Sequence, residues 1–156
     1  MDKTNAMRIL DKQKIQYEVK TYDVSDGHID GLSVCQKCMI DPKMTYKTLV
    51  TQGNDHNYYV FVVNVADELD LKKCAKAVKV KSVEMIHVKD INKITGYIRG
   101  GCSPIGMKKA FVTTYDQSIM ECVKVYVSAG KLGMQIQLDK DDLIALTKGN
   151  VADIKA

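Results

Sequence analysis

The stretch from Thr95 to Gly106 constrains the fold more than any other part of the sequence. Its residues, TGYIRGGCSPIG, include four of the ten glycines and one of the two prolines. Glycine permits positive φ angles and close backbone approach, and proline fixes φ. After an apolar strand, such a run can direct bare backbone N–H groups at one point, where a carbonyl or phosphate oxygen binds. An ordinary glycine-rich turn is the alternative, because short glycine motifs often match by chance.

The length and net charge of the chain limit the kind of protein that it can be. A chain of 156 residues is expected to form a single domain, residues 1–156, with a core of its own. No apolar run approaches the roughly 20 residues of a membrane span, and the first residues lack the apolar segment of a signal peptide. We therefore expect a cytoplasmic protein without a membrane partner. A formal net charge of +4 permits an anionic partner without requiring one.

The five cysteines are odd in number and unevenly spaced, which fits reduced thiols better than a disulfide framework. Cys35 and Cys38 form a C-x-x-C pair, but no second close Cys/Cys or Cys/His pair completes a four-ligand zinc site. We interpret the pair as thiols packed on a helix face. The sequence therefore predicts no metal and no cofactor.

Apolar periodicity predicts a mixed α/β fold. Helices are expected over 5–13 and 31–39, after the N-cap Asp70, and from Asp139 to about Lys148, where Gly149 ends the last one. Short strands joined mostly by short loops favour a small, six- to seven-stranded, barrel-like mixed sheet with helices packed outside. The predicted strands are 15–22, 45–51, 58–65, 83–88, 110–114, 123–128 and 134–138.

A few polar side chains are candidates for chemistry. Lys47 lies inside a predicted strand, where a lysine is usually solvated but lines a cleft if the sheet curls into a barrel. Cys102 is a candidate nucleophile, although the sequence supplies no base to activate it. One predicted helix face is basic and is a candidate contact for nucleic-acid phosphates, with a solvated face as the alternative. Its lysines are Lys72, Lys73, Lys76 and Lys79.

Five motifs follow one another in a recognisable order. They are YKTLV from Tyr46, ELDLKK from Glu68, KSVEM from Lys81, GGCSPIG from Gly100 and YVSAGK from Tyr126. In this order and spacing the chain resembles the YbaK/EbsC family of free-standing prolyl-tRNA editing proteins over nearly its whole length. The resemblance implies a barrel-like α/β fold and a cytosolic enzyme.

The resemblance also implies an activity and a mechanism. The enzyme would remove cysteine from mischarged Cys-tRNA(Pro), and also from Cys-tRNA(Cys), by acting on the 3′ end of the aminoacyl-tRNA. Its expected partner is prolyl-tRNA synthetase. In this branch the sulfhydryl of the substrate attacks its own ester carbonyl and releases a thiolactone, so the protein needs only to orient the reacting groups.

Site residues follow from the same resemblance. Lys47 matches the invariant lysine of the family and would bind the terminal adenosine or its phosphate. Backbone N–H groups of the family's G-x-x-x-P loop, here Gly100 to Pro104, would bind the carbonyl oxygen, with Gly100 and Gly101 as the catalytic residues of the loop. Cys102 stands where an aliphatic residue is common, so its thiol is read as incidental. Gln135 replaces an acidic residue of some members, and no role is carried over to it. The implied substrate-binding residues are Tyr22, Thr48, Cys102, Ser103, Pro104 and Ser128.

Two other functions stay open at this point. One is a deacylase for another mischarged amino acid, such as alanine on tRNA(Pro), which would use water as the nucleophile. The other is a non-catalytic module that binds tRNA or a synthetase. The presence of both Lys47 and the G-x-x-x-P loop argues against a module that only binds.

Overall fold

The computed structural model describes residues 2–156, which form five α-helices and eight β-strands. None of the helices in this described part is long and apolar enough to cross a membrane. The helices are α1 (Asn5–Lys12), α2 (Gly31–Cys38), α3 (Leu71–Ala77), α4 (Ile91–Thr95) and α5 (Lys140–Thr147). The strands are β1 (Tyr17–Thr21), β2 (Tyr46–Gly53), β3 (Tyr58–Asn64), β4 (Val83–Met85), β5 (Val112–Asp116), β6 (Lys124–Ser128), β7 (Met134–Asp139) and β8 (Asn150–Ala152).

The helix starts follow from capping side chains. Thr4 accepts a hydrogen bond from the first turn of α1, and Asp70 and Asp139 accept two each from α3 and α5. These caps satisfy N–H groups that have no partner inside the helix. The predicted end of α5 differs in detail, because the left-handed residue is Lys148 (φ 52°) rather than Gly149. Gly149 instead permits close packing, since a Cβ there would lie 2.3 Å from the Tyr115 ring.

The strands lie in two sheets, which confirms the predicted mixed α/β class. The smaller sheet has the antiparallel order β1-β7-β6. The larger has the order β4-β2-β3-β5-β8, in which β5 pairs in parallel with both of its neighbours. A parallel bridge between Thr45 and Tyr126 connects the two sheets.

The strands differ most from the sequence prediction at β4 and at β8, while the bounds of the others shift by no more than two residues. The predicted strand 83–88 ends at Met85, because β4 pairs with β2 only over Thr51–Gly53 and a 3₁₀ turn starts at Val88. The strand β8 was not predicted. It has only three residues and forms by pairing with β5, so its sequence carries too little alternation to show it.

The small sheet buries one face against the main core and the other over β6 and the start of β7, beside the functional site. Met134, Ile136 and Leu138 of β7 pack into the main core with α1 and α5. The opposite face is covered by a second cluster that includes Val34 and Cys35 of α2 and Tyr126 of β6. Because side chains alternate along a strand, Gln135 of β7 lies on this second face.

Candidate active site

A cavity of about 270 Å³ is lined by β2, the ends of β6 and β7, the start of α2, the segment 85–91 and the glycine-rich loop. The structure brings six of the nine residues proposed from the sequence together around it: Tyr22, Lys47, Thr48, Gly100, Cys102 and Ser128. The other three, Gly101, Ser103 and Pro104, do not line it.

Lys47 supplies one of the two positive charges along the cavity wall, and Arg99 supplies the other. The Lys47 side chain is 27% exposed, and its Nζ lies 3.4 Å from Oε1 of Glu68. Glu68 does not line the cavity, and its side chain is 82% exposed. An exposed pair of this kind contributes about 0–1 kcal/mol, so the Lys47 ammonium can exchange Glu68 for an anionic ligand at little cost.

The glycine-rich loop presents backbone N–H groups beside the cavity. Gly100 has φ of 81°, and a Cβ on it would lie 2.7 Å from Cδ1 of Leu132. The Gly101 N–H is already donated to the Ile98 carbonyl at 2.9 Å. The N–H groups of Arg99, Gly100 and Cys102 donate no hydrogen bond within residues 2–156. All three residues line the cavity, so their N–H groups are free to bind a carbonyl oxygen there.

The three remaining loop residues have packing roles. A Cβ on Gly101 would lie 3.0 Å from the backbone N of Leu132, so the glycine lets the loop approach the β6–β7 turn. Ser103 is fully buried, and its Oγ accepts a hydrogen bond from the N–H of Ile105 at 3.2 Å. Pro104 lies on the side of the loop facing Ile9, away from the cavity. These residues support the loop on the side away from the cavity and do not line the cavity itself.

The Cys102 thiol has no activating partner. Burial raises its pKa to about 11, so it is almost entirely protonated near neutral pH. The residues that line the cavity include no histidine, aspartate or glutamate. Without a base or a lowered pKa, the thiol is a weak nucleophile.

Three polar side chains face the cavity from the sheets. Gln135 is 8% exposed, and its Oε1 has no hydrogen-bond partner in the part of the chain described. Thr48 Oγ1 is likewise buried without a partner. Ser128, directly across from Gln135 on β6, accepts a hydrogen bond from Gly130 N at 3.2 Å and keeps its O–H free to donate. An unpaired buried acceptor lowers the free energy of unfolding by about 1–3 kcal/mol, so the unpaired oxygens of Gln135 and Thr48 destabilise the fold.

Sequence reasoning missed most of the apolar wall and one charge. Met85, at the end of β4, and Val88 and Ile91, after it, line the cavity, and the first two are about half exposed. Nothing in their local pattern marks them, since their place at the cavity depends on where β4 ends. Arg99 could have been noted, because it lies inside the glycine-rich stretch.

Other candidates from the sequence have different surroundings. Cys35 and Cys38 are buried on α2, as predicted, and burial raises the pKa of both thiols. No group of three or more His, Cys, Asp or Glu placed to hold a metal occurs from residue 2 to residue 156. On α3, Lys73 is paired with Asp153 at 3.0 Å, whereas Lys72, Lys76 and the following Lys79 are exposed.

The chain is similar to known proteins over most of its length. The profile of the family described as "Aminoacyl-tRNA editing domain" matches residues 32–146. A protein of Enterococcus faecalis (strain ATCC 700802 / V583), provisionally named Cys-tRNA(Pro)/Cys-tRNA(Cys) deacylase EbsC, is 46% identical over 152 residues, covering 97% of this chain and 93% of that protein.

Solved structures share the fold at low sequence identity. One is described provisionally as a trans-editing enzyme for prolyl tRNA synthetase, with a TM-score of 0.85, 21% identity and 99% of each chain covered. Another, described only as a hypothetical protein, has a TM-score of 0.88 and 17% identity over 98% of this chain and 100% of that one. At these identities the likeness establishes the fold alone.

Proposed function

The chain belongs to the aminoacyl-tRNA editing domain family, and on this premise we propose that it is a deacylase that removes cysteine from Cys-tRNA(Pro) and from Cys-tRNA(Cys). The named relative that is 46% identical over nearly the whole chain supports this choice of substrate. We propose further that the enzyme works in the cytoplasm, beside prolyl-tRNA synthetase, on the 3′ end of the charged tRNA.

One observation carries the proposal. The cavity combines a lysine and three loop N–H groups without a hydrogen-bond partner with a lining that has no histidine or carboxylate. Such a site can bind an anionic ligand and polarise its carbonyl, but it has no group to activate a nucleophile. It therefore suits a substrate that brings its own nucleophile, as a cysteinyl ester does.

In the proposed reaction, the protein holds the substrate in place and the substrate supplies its own nucleophile. Lys47 binds the terminal phosphate or adenosine, and the N–H groups of Gly100 and Cys102 hold the ester carbonyl oxygen. The substrate sulfur attacks the carbonyl carbon, the bond to the ribose oxygen breaks, and that oxygen takes up the proton lost from the thiol. The products are a cysteine thiolactone and uncharged tRNA. Fixing sulfur and carbonyl in reacting geometry supplies the rate enhancement.

The proposal is tested by deacylation assays with the purified protein on a panel of tRNA(Pro) charged with cysteine, alanine, serine or proline. Loss of cysteine alone is the expected result. Rapid loss of alanine would favour the water-using deacylase, and no loss of any amino acid would favour a binding module. Repeating the assay on Cys-tRNA(Cys) with and without prolyl-tRNA synthetase tests the partner, because the synthetase should direct activity toward tRNA(Pro).

A further inference from the structure

We propose that Lys37, which does not touch the cavity, is a positioning residue that sets the size of amino acid the site accepts. The proposal rests on the function proposed above and concerns the wall of the same site. That wall includes Tyr22, which directly follows β1, and Ile29, which lies just before α2. Tyr22 precedes the loop of residues 23–29, and Ile29 is its last residue.

The Lys37 ammonium uses all three of its N–H donors on this loop. It donates to the carbonyl oxygen of Asp23 at 2.7 Å, to Oδ1 of Asp26 at 2.7 Å and to the carbonyl oxygen of His28 at 2.9 Å. An ammonium has three donors, so its capacity is filled. The side chain is 20% exposed, which shields these bonds from competing water. We call this set of three bonds the Lys37 clamp.

The clamp is what ties the loop to the rest of the protein. The other hydrogen bonds of residues 23–29 stay inside the loop, such as those from Gly27 N to Val24 O and from Ile29 N to Gly27 O. Of the hydrogen bonds found in residues 2–156, only those of Lys37 connect residues 23–29 to another element. Without them no hydrogen bond would hold the loop to another element, and only the packing of side chains such as Val24 and Ile29 would remain.

The positions of the held carbonyls connect the clamp to the site. The Asp23 carbonyl directly follows Tyr22, and the His28 carbonyl directly precedes Ile29. On its other side Ile29 is followed by Asp30, the N-cap of α2. The clamp therefore fixes the backbone next to Tyr22 and next to Ile29, both of which line the cavity.

Ile29 also meets the loop that is proposed to hold the carbonyl. Its Cδ1 lies 3.2 Å from the place where a Cβ on Gly100 would stand. The wall held by Lys37 therefore adjoins the reacting ester, where the amino acid side chain has to lie. A wall that yields would admit larger side chains and hold cysteine less firmly, whereas a fixed wall excludes extra methyl groups.

The test compares Lys37→Met with a matched control. Lys140→Met removes a lysine that is similarly shielded, with a side chain 13% exposed and its Nζ 3.4 Å from Oδ2 of Asp141, but that lies on α5 outside the cavity lining. Lys37→Arg keeps a cation with several donors and serves as the conservative variant. All are assayed on tRNA(Pro) charged with cysteine and with penicillamine, a cysteine with two more methyl groups on Cβ. Each rate is divided by the spontaneous rate of the same ester.

The wild-type protein and Lys140→Met should prefer cysteine by about tenfold or more, because added methyl groups meet a fixed wall. In Lys37→Met this preference should fall toward one, with a lower kcat on Cys-tRNA and little change in KM, and Lys37→Arg should restore most of it. Hydrogen exchange across residues 23–30 should be faster in Lys37→Met alone. An unchanged preference or unchanged exchange in Lys37→Met overturns the proposal. If wild-type protein leaves Cys-tRNA intact, the proposed function fails, while hydrogen exchange still decides whether the clamp holds the loop.

Discussion

The Nζ atom of Lys47 lies 3.4 Å from Oε1 of Glu68, and this carboxylate is the only one paired with Lys47 among the described residues. Glu68 is mostly solvated, so the pair is weak and open to exchange. In the free enzyme the Glu68 carboxylate pairs with the Lys47 ammonium. In the proposed function the same ammonium binds an anionic part of the substrate. Glu68 is therefore a competitor of the substrate in the free enzyme.

This relationship predicts the effect of Glu68→Gln. Removing the competing charge should lower KM for Cys-tRNA by about two- to fivefold at low salt, since an exposed ion pair is worth at most about 1 kcal/mol. The kcat should stay the same, because the competitor leaves before the reaction. Steady-state kinetics at two salt concentrations measure both constants. A higher KM in Glu68→Gln would show that Glu68 orients Lys47 instead of competing for it.

Lys47→Ala should lose most of the activity while the fold stays intact. A hydrogen bond to a charged group is worth about 1.5–3 kcal/mol, so kcat/KM should fall by about ten- to a hundredfold. The measurement pairs kinetics with thermal unfolding. Lys124→Ala removes an exposed lysine from β6, outside the cavity, and serves as the control. Equal activity of Lys47→Ala and wild-type protein would remove Lys47 from the site.

Cys102→Ser should keep substantial activity. The thiol is protonated because burial raises its pKa to about 11, and no base lines the cavity. The backbone N–H of residue 102, which the account does use, survives the substitution. Single-turnover rates and mass spectrometry of the intact protein check this. Loss of activity in a folded Cys102→Ser variant, together with an acyl group trapped on Cys102 of the wild-type protein, would restore the nucleophile role.

Gln135→Met should stabilise the protein. The substitution removes a buried carbonyl oxygen that has no partner, which costs about 1–3 kcal/mol, and keeps a side chain of similar length. Denaturant unfolding measures the change in the free energy of unfolding. Gln137→Met is the matched control, since Gln137 lies two residues along β7 on the same face and outside the cavity lining. Lower stability of Gln135→Met than of Gln137→Met would mean that the Gln135 oxygen has a partner after all.

The sequence predicts local features of this fold better than the site. The caps Thr4, Asp70 and Asp139 act on groups within the next few residues, so a short window contains the whole interaction. The strand β8 depends on a parallel partner more than 30 residues away and leaves no local trace. The cavity wall at Met85 and Val88 is set by where β4 stops pairing, which the sequence placed three residues too late.

The glycine-rich loop shows a related limit. Its composition predicts bare N–H groups, but it cannot tell which glycine presents one. In the structure Gly101 gives its N–H to Ile98 and packs on Leu132, while Gly100 faces the cavity. That division depends on the β6–β7 turn, which comes from another part of the chain. The role of Lys37 could not be predicted from the sequence either, because it depends on three acceptors in a loop that lies 9 to 14 residues upstream.

The most direct test of the central claim compares Cys-tRNA(Pro) with Ser-tRNA(Pro). The two substrates differ by one atom and are expected to fit the cavity equally, so binding alone should separate them weakly. A thiol of pKa near 8.5 is a few per cent thiolate at neutral pH, while an alcohol is scarcely ionised, so reactivity should separate them strongly. Single-turnover rates are measured on both, and the released product is identified by mass at early times. The account predicts fast release of cysteine thiolactone, or its trapped adduct, and almost no reaction of Ser-tRNA(Pro). Comparable rates, or free cysteine without any thiolactone, would contradict it and leave a deacylase that uses water.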